Sequence, residues 1–409
     1  MSEESPKLRN DIEILPATVE GQTVLVVRDP VGLIEKPIAL SEDLFGLVSM
    51  LDGTHTIEDM QAILTRQRGG VLVMREEVQR IITQLDQLLV LDNERYRTAL
   101  TRLADEFARH TVRNASHAGQ TYPVEPERLR ARLDVILKWK HVANTPASQD
   151  IIALVAPHID LNVGDRAYAA AYHTIQDARP ERILIFGTGH RMDKGILCVT
   201  DKDFETPLGS VKTDKETVER IRELGGESLA PNDLPHKSEH SIEFQVLFLQ
   251  HLFPKHEFTI VPILFGSFDE IFDELERPSD IPGVSQTLGY FREMIEQEGG
   301  KTLVIAGVDL SHVGPKFGDK QHAGEIVQYS QKHDEKILGA LVKKNMKALW
   351  KEMKRVQDAY HVCGFSTLAC LLEILPPCRG TLLHYDVWHE QATSSAVSFA
   401  SLAFSRMGK

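Results

Sequence analysis

Cysteine is scarce: the 409-residue chain has four, Cys198, Cys363, Cys370 and Cys378. They are too few and too dispersed for a disulfide scaffold, which points to reduced thiols. No apolar run approaches the roughly 18–20 residues that cross a bilayer, and residues 1–13 lack the apolar core of a secretory signal. Basic side chains are outnumbered, 46 Lys and Arg against 59 Asp and Glu, for a net charge of −13. That balance argues against nucleic acid or an anionic membrane as partner. Internal repeats and low-complexity tracts are also missing. What these exclusions leave is a cytoplasmic, globular protein. Its 42% hydrophobic and 26% charged residues are ordinary for that class.

Histidine is what the chain has, and unevenly. Of 17, only His55 lies before residue 110. Imidazole is the common metal ligand and general base near neutral pH, so chemistry is expected in the larger, C-terminal part. Residues 1–98 read as a small α+β module of winged-helix type. Thr23–Val27 is a short strand, and Leu33-Ile34 is expected to resume it as a hairpin. Ser41 is expected to cap a helix over residues 44–51, and Thr56-Ile57-Glu58-Asp59 to open another with a capping box. A third helix carries Val78, Ile81, Ile82, Leu85 and Leu88 at helical spacing. Residues 99–115 are expected to form a linker helix.

From residue 116 to 409 strands alternate with helices. Apolar runs at 151–155, 183–186, 259–265, 302–306 and 395–404 read as strands, with helical patterns between them. That order predicts an α/β fold with a mainly parallel sheet flanked by helices. Polar clusters follow three of the strands directly: Ala156-Pro157-His158, Gly187-Thr188-Gly189-His190, and Gly307-Val308-Asp309-Leu310-Ser311-His312. Open α/β sheets bind ligands beyond the carboxyl ends of their strands. A fourth cluster, Ser238-Glu239-His240-Ser241, begins a helix whose free N–H groups favour a carboxylate. Cys363 precedes another helix, a position that lowers a thiol's pKa. Taken singly, each has an ordinary structural explanation: a satisfied polar residue, a helix cap, a small buried hydrophobe. Their shared location at strand ends is what points to a metal or catalytic crevice.

Taken together these segments resemble the Memo family, the protein B component of AmmeMemoRadiSam systems. The matching stretches, in order, include Ser116-His117-Ala118-Gly119 with Tyr122, Ala156-Pro157-His158, Phe186-Gly187-Thr188-Gly189-His190 and Glu205-Thr206-Pro207-Leu208-Gly209. Glu239-His240-Ser241-Ile242-Glu243, Val261-Pro262-Ile263-Leu264, Asp309-Leu310-Ser311-His312, Cys363-Gly364 and Ser394-Ser395-Ala396-Val397 complete them. The resemblance implies a fold similar to LigB-type extradiol dioxygenases, which use non-haem iron. It implies His158, His190 and Cys363 as metal ligands, with Asp309, His312 and His240 in the same pocket. The N-terminal module resembles PqqD-like peptide-binding modules. This implies a peptide or protein substrate, handled with radical-SAM and AMMECR-like partner proteins. Three departures from the family stand out. His190 is followed by Arg191 rather than a second histidine, which would favour an anionic substrate. Ile159-Asp160 stands after His158 in place of Ala-Gly, and Phe365 after Gly364 in place of Arg.

Two imidazoles and a thiolate suit iron(II), copper or zinc better than magnesium or calcium. The leading expectation is an iron(II)-dependent oxidoreductase, with His312 as general acid/base, Asp309 orienting a ligand or adding a donor, and His240 nearby. The alternatives are a redox-sensing scaffold that docks acidic or phosphorylated peptides, and a zinc hydrolase.

Overall fold

The computed structural model describes residues 5–19, 21–34, 36–139, 150–268, 271–297 and 301–407. The chain divides into two compact units at Arg109/His110.

The first unit pairs three antiparallel strands, β1 (Glu13–Val19), β2 (Gln22–Arg28) and β3 (Ile38–Ser41), in the order β1-β2-β3. Helices follow at Ile57–Gln67, Arg75–Gln87 and Glu94–Ala108. Leu33-Ile34 is not a hairpin strand. The Asp29 carboxylate accepts the N–H groups of Val31, Leu33 and Ile34 at 2.8–2.9 Å, which satisfies that backbone as a loop, and pairing resumes at Ile38. Ser41 ends β3 and makes no side-chain cap; a 3-10 turn, Glu42–Leu44, and a single helical turn, Phe45–Val48, follow it. The capping box at Thr56 and Asp59 is present in both directions. The helix Glu94–Ala108 belongs to this unit rather than to a linker. Its Tyr96 donates to Asp11 at 2.9 Å and lies under the guanidinium of Arg9, itself paired with Asp11 and Asp29.

The second unit is a mixed α/β structure around one large sheet. Its strands are β4 (Val112–Arg113), β5 (Ile151–Ala156), β6 (Arg182–Thr188), β7 (Leu197–Val199), β8 (Asp203–Thr206) and β9 (Gly209–Thr213). β10 (Thr259–Phe265), β11 (Thr302–Gly307), β12 (His312–Val313), β13 (Cys378–Glu390) and β14 (Ser395–Arg406) complete it. The order runs β12-β14-β5-β11-β6-β10-β9-β8-β4, with β13 on β14 and β7 on β10. β5, β11, β6 and β10 run parallel. They are buried along almost their whole length, because helices cover both faces, and so they read in the sequence as unbroken apolar runs. One margin is antiparallel, β14 against β5 and β13 against β14; at the other, β9 joins β10 and β4 joins β8 in parallel, with β8 and β9 antiparallel. Among the described residues no helix is long and apolar enough to cross a membrane.

Parallel neighbours place their carboxyl ends side by side, about 4.8 Å apart. β5, β11 and β6 are consecutive in the sheet, so the segments after Ala156, Gly307 and Thr188 emerge at one edge. The helix His240–Leu252 packs on the sheet against β6 and β11, and its first turn reaches this edge. Its approach depends on glycine: a Cβ at Gly307 would strike the Ser241 carbonyl oxygen, and one at Gly187 the Ser241 hydroxyl.

Candidate metal centre

Three loops and one helix start bring the polar clusters together. Ligand atoms of His158, His190 and Cys363 all lie within 4.8 Å of one another, and those of His190, Glu239 and His240 form a second such group. The His158 ring is 4.9 Å from that of His190 and 5.0 Å from that of His240, which stacks on His190 at 5.0 Å.

Each imidazole is held by one nitrogen. His158, buried at the end of β5, has Nδ1 at 2.9 Å from the Gly307 carbonyl oxygen. Only a donating Nδ1–H fits a carbonyl, so in the neutral ring Nε2 carries the lone pair; that atom lies 3.5 Å from Cys363 Sγ. His190 turns Nδ1 to the Glu239 carboxylate at 3.0–3.1 Å. Outer partners of this kind, a carbonyl and a carboxylate, fix the tautomer and direction of metal-binding histidines. Glu239 is itself buried and pinned. It caps the helix His240–Leu252 by accepting the Ser241 N–H at 2.9 Å. Cys363 reaches the site because Gly364 lets its loop close onto the strand end; a Cβ there would sit 2.6 Å from Val308 Cβ and 2.7 Å from the Asp309 carbonyl oxygen.

Asp309 is buried beneath this group. One carboxylate oxygen accepts the His158 backbone N–H at 3.0 Å, and the other lies 3.6 Å from His158 Nε2. Burial pushes its carboxyl up. Burial alone would lower the His158 imidazole, but Asp309 and the Cys363 sulfur raise it to about 9. Burial would likewise raise the Cys363 thiol; the positive fields of His158 and His312 and hydrogen bonds from His158 and His190 hold it well below the usual thiol range. Burial would raise the Glu239 carboxyl, but the His190 imidazole and the Ser241 N–H hold it far below the ordinary range. Burial dominates at His240 and keeps it neutral.

A cavity of about 460 Å³ opens on this cluster, with His190, Cys363 and His312 in its wall. His312 starts β12; its Nδ1 meets the Leu310 carbonyl at 2.9 Å and its ring packs on Phe317. Of the six expected site residues, His158, Asp309 and His240 do not line this cavity; they back the residues that do. Arg191 is not in its wall either, so the expected preference for an anion has no support there.

Two contributors were not among the expected site residues. Arg113 and Glu243, 130 residues apart, form an ion pair with no exposed side-chain surface. Glu243 also accepts from the backbone N–H groups of Ser116 and His117 at 3.0 Å and from the Tyr122 hydroxyl. Arg113 donates to the carbonyls of His236 and Glu239 at 2.9 and 2.8 Å. The 113–122 segment is thereby tied to the first turn of the helix that presents Glu239 and His240. The Glu-His-Ser-Ile-Glu run held the signal for Glu243, as a helical spacing from Glu239; nothing in the sequence paired it with Arg113.

The fold and the site define an α/β protein with an imidazole–thiolate pocket at the carboxyl edge of its parallel strands. The sequence pattern of the family described as Memo-like protein matches residues 113–403. A MEMO1 family protein of Aquifex aeolicus is 31% identical over 382 residues, covering 93% of this chain and 95% of the relative. MEMO1 family proteins of Pyrococcus abyssi and Pyrococcus furiosus are each 30% identical; the alignments cover 72% and 71% of this chain, and 100% and 98% of the relatives. The chain belongs to the Memo-like family.

Proposed function

We propose that the protein is a metal-dependent oxidoreductase whose ligands are His158, His190 and Cys363. The observation that carries the metal assignment is the spacing of the donors, and the redox reading follows from the donor chemistry and the family resemblance. Ligand bonds of about 2.0 Å to nitrogen and 2.3 Å to sulfur, at a tetrahedral angle, separate the two atoms by about 3.5 Å. His158 Nε2 and Cys363 Sγ are 3.5 Å apart. The donor chemistry fits iron(II) first and copper or zinc next. When bound, such an ion supplies a Lewis-acidic, redox-active or water-activating position. The chain's own residues do the rest. Glu239 and the Gly307 carbonyl hold the two imidazoles in the ligating tautomer, Asp309 fixes the backbone of His158, and His312 holds or takes a proton at the cavity wall. In keeping with the AmmeMemoRadiSam resemblance, we place radical-SAM and AMMECR-like proteins as partners. The first unit is placed as a PqqD-like module presenting a peptide substrate.

The test is metal analysis of untagged protein prepared anaerobically, with oxygen uptake on adding a reductant. His158→Ala is expected to lose both the metal and the uptake; one stoichiometric metal per chain in that variant overturns the assignment. Zinc as the native metal, with no oxygen uptake, favours a hydrolase instead. Glu239→Gln preserves an oxygen to cap Ser241 but removes the charge behind His190. It is expected to weaken metal affinity by about 10–100-fold in a chelator competition. An affinity within twofold of wild type would show that Glu239 does not act through His190.

A further inference from the structure

The helix Phe365–Ile374 begins in the wall of the cavity, and its first turn is open. A helix leaves its leading N–H groups without intrahelical acceptors, and that end carries a partial positive charge. Gly364 stands at the N-cap and has no side chain to close it. The Phe365 N–H donates to the Val362 carbonyl at 3.1 Å. Those of Ser366 and Thr367 have no acceptor among the described residues. The Cys363 sulfur does not take them: it meets His158 Nε2 and the Asp309 carbonyl.

Ser366 itself adds an observation independent of the helix end. It lines the cavity and is 5% exposed, and its hydroxyl has no hydrogen-bond partner among the described residues. Unlike the unpartnered hydroxyls of Thr188 and Ser401, its oxygen is not sealed from water. A buried hydroxyl left without a partner is costly, and the cavity is the side from which one can come. The charge around the cleft suits an anion. Three imidazoles, His190, His312 and His361, stand in the wall against one carboxylate, Asp358. The ammonium groups of Lys354 and Lys316 each lie 5.8 Å from a wall ring, those of Phe272 and Phe317. Lys316 is paired with Glu390 at 2.9 Å. Lys354 donates to the Asp273 carbonyl at 3.0 Å and meets no carboxylate among the described residues.

We infer that this first turn is a carboxylate subsite, where the N–H groups of Ser366 and Thr367 and the Ser366 hydroxyl hold the acid group of a small organic ligand inside the cavity. Three donors on one turn match the two oxygens of a carboxylate, a group that helix starts commonly bind. A dianionic phosphate would bring a second charge that the turn has no cation to meet. This deepens the oxidoreductase reading by naming a group its substrate carries; it rests on that reading for the reaction, not for the binding.

Butyrate is the probe, titrated into the full chain at neutral pH and followed by ligand-observed NMR, with butyramide and methyl phosphate alongside. Butyrate is expected to bind more tightly than either. Ser366→Ala removes one hydrogen bond to a charged group and is expected to weaken butyrate about ten- to hundredfold, with metal content unchanged. Butyrate bound no more tightly than butyramide, an affinity unmoved in Ser366→Ala, or tighter binding of methyl phosphate overturns the inference. His158→Ala, the variant expected to lose the metal, should still prefer butyrate to butyramide. Loss of that preference would put the carboxylate on the metal rather than on the helix and would also overturn the subsite. Metal retained in His158→Ala sinks the metal assignment and leaves the Ser366→Ala result standing, so the two failures give different results.

Discussion

His312→Gln is expected to lower reductant-driven oxygen uptake by about 10²–10⁴-fold, the usual contribution of a positioned acid/base, while metal content stays at the wild-type level. The separation of the two readouts follows from the geometry. His312 lines the cavity with Cys363 and His190, but it belongs to neither group of converging ligand atoms. Its Nδ1 is committed to the Leu310 carbonyl at 2.9 Å, so in the neutral ring Nε2 is the atom available to take a proton. Glutamine keeps the length and one hydrogen bond but cannot accept and return a proton near neutral pH. A drop below about tenfold would remove His312 from proton transfer. Loss of metal would instead make it a ligand.

Glu243→Gln is expected to destabilise the second unit by about 3–5 kcal/mol, the cost of leaving one half of a buried ion pair uncompensated. Neither Arg113 nor Glu243 has exposed side-chain surface, so water cannot replace the lost partner. The variant also weakens the acceptor for the N–H groups of Ser116 and His117 and the Tyr122 hydroxyl. Urea denaturation of the full chain reads this as a lower midpoint in the second unit's transition. Acidity supplies a further check. Burial would raise the Glu243 carboxyl, but Arg113 and His117 hold it below its ordinary value. A carboxyl depressed on folding stabilises fully above its unfolded pKa of about 4.3. That stability fades as pH falls through the folded value. Wild type and Glu243→Gln should therefore converge in acid and differ most near neutrality. A difference under about 0.5 kcal/mol at pH 7 would mean that the pair contributes nothing net. Replacing both partners together, Arg113→Met with Glu243→Leu, should cost less than Glu243→Gln alone.

How far the fold could be read depended on which strands bury both faces. β5, β6, β10 and β11 are covered on each side and so appear as apolar runs, located to within a residue or two. β13 was not legible. Its burial switches irregularly along Cys378–Glu390, its register shifts between Leu382 and His384, and it pairs on one side only, with β14. Leu33-Ile34 misled because hydropathy cannot see a carboxylate, that of Asp29, satisfying backbone N–H groups several residues away.

The order of motifs along the chain by itself determined the family, the α/β class and the identity of the candidate donors, since those depend on residue type and local pattern. Only the folded structure decided what each donor faces. It put Glu239 behind His190, Asp309 beneath His158 and Arg113 under Glu243. It also separated His312, in the cavity wall, from His240, behind it. The physical reason is that neighbouring parallel strands, β5 with β11 and β11 with β6, align residues separated by more than a hundred positions. Direction and burial at that edge come from packing across the sheet, which no short-range pattern records.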